Sequence, residues 1–119
     1  MDNDEVNSGK QELQKGKPYQ LADSIAYVPH SVVCKTILKK PSGTVLILAF
    51  DGTEVPCNKA CPFDVFVQII EGKAEIVIDG TPYLIEAGQG IVLPAHLPNF
   101  IRPNGRFKII RTIIKSGYE

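Results

Sequence analysis

From Tyr19 onward the chain is a series of short β-branched and aromatic runs, each closed by turn-forming residues, and this texture limits its fold more than any other feature. The runs cover 31–38, 43–50, 63–70, 74–79, 81–87, 90–94, 99–103 and 106–115. Between them stand Lys-Lys-Pro-Ser-Gly, Asp-Gly, Glu-Gly-Lys, Gly-Gln-Gly and Asn-Gly. Asp79-Gly80 and Asn104-Gly105 read as hairpin turns, because these residue types tolerate the positive φ of a type I′ turn. Many runs of this length, with no convincing core helix among them, predict an all-β sandwich or barrel.

Alternation assigns faces. In the run 63–70, Phe63, Val65, Val67 and Ile69 share one side of a strand, and Asp64, Phe66, Gln68 and Ile70 share the other. The runs GTVLILAF and FKIIRTII are instead apolar on both sides, so each needs cover beyond a barrel interior. The N-terminal strand region or a second copy of the chain would supply it, and a homodimer is expected on that ground.

A length of 119 residues suits one domain with one core. Residues 1–17 read as a polar, flexible tail and residues 18–119 as the barrel. Lys plus Arg and Asp plus Glu number 13 each. That balance gives no basic face for nucleic acid or an anionic membrane, so neither partner is expected. The first residues, MDNDEVNSGKQELQKGKP, contain no apolar segment of the kind a secretory signal needs, and no run approaches the ~20 apolar residues of a spanning helix. A cytoplasmic location is expected. Three cysteines, Cys34, Cys57 and Cys61, are too few and too unevenly placed for a disulfide framework, and reduced thiols are expected.

The stretch GQGIVLPAHLPNFIRP, taken with Gly72, resembles the cupins, whose fold is a double-stranded β-helix or jelly-roll barrel. The family carries two motifs, G-x5-H-x-H-x3-4-E-x6-G and G-x5-P-x-G-x2-H-x3-N, whose three histidines and glutamate bind a divalent metal. Here Gly88 and Pro94 match the second motif without insertion. His96 stands at its second glycine, Asn99 at its histidine and Pro103 at its asparagine. The closing glycine of the first motif falls on Gly72, which puts Val65 at the glutamate. The histidine pair then falls on Lys59 and Cys61, or, in the other register, on Asn58 and Ala60. The first register keeps Lys59, Cys61 and Val65 at one strand parity. The resemblance therefore implies a small single-domain jelly-roll cupin with degenerate ligand positions, at Lys59, Cys61, Val65 and Asn99.

A first-row divalent ion needs three or four convergent imidazole, thiolate or carboxylate donors. Of these four side chains only Cys61 is one, so no metal and no cofactor are expected. The alternative is a zinc site made by Cys57, Cys61 and His96. Lys59 has two readings: a counter-charge for a small polar or anionic ligand, with Cys61, His96 and Asn99 beside it, or an ammonium that reaches out to water. The leading functional reading is a non-catalytic small-molecule-binding, regulatory or structural barrel. The other is an enzyme of isomerase or oxygenase type, using a cysteine-containing metal centre or Lys59 as an acid–base group. Residue types alone leave enzyme status open.

Overall fold

The computed structural model describes residues 7–8, 13–53 and 59–115. Cys57, Asn58 and most of the expected tail lie outside the described residues. The described residues form seven strands: β1 (Asn7–Ser8), β2 (Val32–Lys40), β3 (Gly43–Phe50), β4 (Val65–Ile78), β5 (Thr81–Glu86), β6 (Gly90–Leu93) and β7 (Asn99–Ile114). A 3-10 turn, Leu21–Asp23, precedes β2. The strands pair in the order β1-β2-β3-β7-β4-β5, with β6 also on β4. All pairings are antiparallel except β1 with β2, where Asn7 and Ser8 align with Cys34 and Lys35. The sheet folds on itself as an all-β jelly-roll barrel.

Asp79-Gly80 makes the hairpin that its composition predicts. Ile78 pairs with Thr81 across it, and φ is 48° at Asp79 and 86° at Gly80. Two other expected breaks are not breaks. Glu71-Gly72-Lys73 lies inside one continuous strand, β4, and Asn104-Gly105 lies inside β7. The reason is shared pairing: both halves of β7 run along both halves of β4, so neither chain reverses. The register slips between Ile69 and Glu71 and between Gly72 and Ala74, and the positive φ of Gly72 and Gly105 is used in bulges that bend the long strands. A Cβ on Gly72 would stand 2.3 Å from the Arg106 carbonyl oxygen, which explains why only glycine fits the end of the first motif.

The alternation of β4 is as read from the sequence. Val65, Val67 and Ile69 are buried and Phe66 and Gln68 are exposed. Inside the barrel these side chains pack with Leu48, Ile76, Phe107 and Ile109. The opposite faces of β2 and β3 carry a second apolar cluster, Val33, Ile47 and Ala49, which Leu21, Ile25 and Tyr27 cover. The segment ahead of β2 therefore covers much of the two-sided apolar surface within one chain. Lys35 Nζ and Lys108 Nζ donate to the carbonyls of Ser24 and Ala22, which fastens that segment to the barrel wall.

Candidate functional site

The barrel encloses a cavity of about 400 Å³ between β2, β3, β4 and β7. Its wall is mostly apolar. Phe50 and Phe107, cross-strand partners on β3 and β7, stack with ring centroids 4.5 Å apart and planes 6° apart. Val65, Val67 and Leu93, on the neighbouring strands β4 and β6, continue the apolar lining.

Lys59, Cys61, Val65 and Asn99, the four positions that the resemblance aligned with the family's ligands, all line this one cavity. Lys59 and Asn99 are locked together by a β-bridge, in which Lys59 N donates to Asn99 O at 2.9 Å and Asn99 N to Lys59 O at 2.7 Å. The Lys59 side chain is exposed, so it sits at the rim and keeps much of its hydration. The Asn99 amide nitrogen donates to the Leu97 carbonyl at 3.3 Å.

His96 is not among the cavity-lining residues. It lies exposed on the turn after Pro94, where its backbone N–H donates to Cys61 O at 2.7 Å. Its φ is 72°, in the left-handed region that the motif's glycine would occupy without strain. A histidine there costs on the order of 1 kcal/mol of backbone strain. The position is thus conformationally special whichever side chain fills it.

The donor set does not suit a divalent ion. An ammonium, a thiol, a valine and an amide offer one strong donor among four positions. Among the described residues, no group of three His, Cys, Asp or Glu side chains lies close enough to share a metal. No catalytic step through a metal is derived from this site.

One residue in the cavity was not anticipated. Arg111 shares the inward parity of β7 with Phe107, Ile109 and Ile113, and it lies between Leu46 of β3 and Val67 of β4. It is half-buried, and with Lys59 it makes up the charged part of the described lining, which contains no carboxylate. Its guanidinium also acts on Cys34, which sits on the inward face of β2 among the core side chains. Burial pushes the Cys34 thiol up, and the guanidinium offsets this only in part. Cys34 is therefore a neutral thiol near pH 7 and supplies no counter-charge to the arginine. The available signal for Arg111 was a charge at the buried parity of an otherwise apolar run, FKIIRTII.

No protein-family model matches the sequence, and no curated protein does. Solved structures do match. A conserved protein of unknown function from Streptococcus pyogenes superposes with a TM-score of 0.81 at 23% identity, over 88% of this chain and 92% of its own. A cupin superfamily protein from Desulfitobacterium hafniense gives 0.79 at 21%, over 87% and 95%. A cupin 2 conserved barrel domain protein from Leptotrichia buccalis gives 0.76 at 26%, over 82% of this chain and 47% of that one. The fold is a cupin barrel. The chain spans about half the length of the Leptotrichia protein. Cupin barrels host many unrelated activities, so the fold by itself assigns no chemistry to this one. No helix among the described residues is long and apolar enough to cross a membrane.

Proposed function

We propose that this cupin is a non-catalytic small-molecule-binding barrel, in which the metal-ligand positions have been given over to recognition of a small polar or anionic guest. The observation that carries this reading is the charge asymmetry of the described lining: two cationic side chains, Lys59 and Arg111, and no acidic one, among residues that are otherwise largely apolar. A volume of about 400 Å³ falls within the roughly 300–1,000 Å³ of small-ligand sites. Catalysis has less support. The described lining offers no nucleophile paired with a base and no carboxylate for acid–base work.

A thermal-shift screen of small carboxylates, polyols and neutral aromatics tests the reading. At least one class is expected to raise Tm, and Ala60→Trp, which places a large ring at the exposed rim, is expected to abolish the shift. If no class shifts Tm, the barrel is a structural module instead.

The outer wall supports a homodimer. Phe66 and Val92 are cross-strand partners on β4 and β6 and stay 39% and 55% exposed, forming an apolar pair that suits a second copy of the chain. Val92→Lys is expected to halve the mass seen by light scattering, and a wild-type protein that is already monomeric would refute the dimer.

A further inference from the structure

The structure assigns Arg111 a role that neither the resemblance nor the motif positions suggest: we propose that it anchors the carboxylate of a small monoanionic guest whose remaining body is apolar. The proposal rests on the binding reading above and specifies its ligand class.

Three observations on the wall carry it. The first is the arginine's lack of a protein partner. Among the described residues its guanidinium makes no hydrogen bond and no ion pair, although it stands on the inward parity of β7 among core side chains. A cation in such surroundings is costly unless something anionic meets it. Cys34, the ionisable neighbour, is held neutral by burial and does not do so.

The second is shape. A guanidinium is a planar fork of N–H donors, which matches the two oxygens of a carboxylate in a bidentate pair. The third is the remainder of the wall. The Phe50–Phe107 stack, Phe100, Val67 and Leu93 present ring faces and methyl groups, and Asn99 and Cys61 are the uncharged polar side chains. A polyhydroxylated sugar would lose hydration on most of its hydroxyls without replacement. A phosphate dianion would bring a second charge into a half-apolar space, with only rim-exposed Lys59 to answer it. A carboxylate on a ring or branched alkyl body satisfies the fork and places its carbon against the rings.

Benzoate and 3-methylbutanoate are the probes, titrated calorimetrically into the full chain beside benzamide, mannose and inorganic phosphate. Benzoate is expected to bind at least tenfold more tightly than benzamide, which has the same size and no charge. Arg111→Met is expected to abolish that preference, Arg111→Lys to restore part of it, and Lys59→Met to weaken benzoate less than threefold. An arginine side-chain N–H resonance of the wild-type protein that moves on adding benzoate, and not benzamide, gives a readout that needs no variant. Equal binding of benzoate and benzamide, tighter binding of mannose or phosphate, or benzoate binding unchanged in Arg111→Met would each overturn the carboxylate assignment while leaving a binding barrel. Silence from both carboxylates overturns it as well. The binding reading itself falls only if the polyols and neutral aromatics of the wider screen are silent too.

Discussion

Lys108 and Arg111 lie three residues apart on β7 and face opposite sides of the barrel wall. Lys108, only 6% exposed, is fully engaged on the outer side: it donates to the Ala22 carbonyl, lies 3.6 Å from Glu71 and sits 4.8 Å from the centre of the Tyr27 ring. Tyr27 in turn donates its hydroxyl to Glu71 at 2.6 Å, and Arg106 stacks over the same ring at 5.1 Å. Arg111, on the inner side, has none of these contacts. A charge taken out of water and met by a carbonyl, a carboxylate and a ring face belongs to the architecture. A charge on the inner side with no such partner among the described residues is the one assigned above to a guest.

The same substitution at both positions is the sharpest way to break the contrast. Lys108→Met keeps the aliphatic stem but strips the Ala22 carbonyl and Glu71 of their partner. It is expected to lose about 2 kcal/mol in urea unfolding, or roughly 8 °C in Tm for a domain of this size. A loss as small as that of a surface lysine would mean the outer network is decorative. Next in size, benzoate at ten times its Kd is expected to stabilise the wild-type protein by about 1.4 kcal/mol and Arg111→Met by nothing measurable. Without ligand, Arg111→Met is expected to be neutral or to gain up to about 1 kcal/mol, because it removes an unpaired charge. If it destabilises as much as Lys108→Met, the arginine has a structural partner and the contrast collapses.

The smallest effect concerns pH. Burial, with the Glu71 hydrogen bond and charge adding to it, raises the Tyr27 hydroxyl above its ordinary value of 10.0. A raised phenol stays protonated in the folded chain while the unfolded chain ionises. Its contribution is therefore whole below pH 10 and is lost as pH climbs past that value. Tyr27→Phe is expected to unfold with a shallower alkaline decline, by no more than about 0.5 kcal/mol at pH 11 after solvent screening. Parallel urea titrations at pH 8 and pH 11 measure it, and identical slopes would remove Glu71 from the clasp.

Much of the barrel was legible because it depends on local rules. The period-2 pattern of Val65, Val67 and Ile69 named the buried face, and Asp79-Gly80 named a turn, since both signals are written in adjacent residues. The continuity of β4 and β7 was not legible. Glu71-Gly72-Lys73 and Asn104-Gly105 look like turns in isolation, and only their pairing with each other's strand makes them bulges. The site divided in the same way. Motif spacing brought Lys59, Cys61 and Asn99 to one cavity but not His96, whose left-handed backbone sits on an exposed turn. Arg111 carried no motif. Its parity within an apolar run was visible, but whether a partner waited across the wall was not.

By itself the sequence determined the β architecture, the inward row of β4 and a set of motif-aligned positions poor in electron-pair donors, because strand alternation and side-chain chemistry are properties of residues. Only the tertiary structure decided which of Lys108 and Arg111 is satisfied. Partners for a buried charge come from segments distant in the chain: Ala22, Tyr27 and Glu71 converge on Lys108, and among the described residues nothing comparable reaches Arg111.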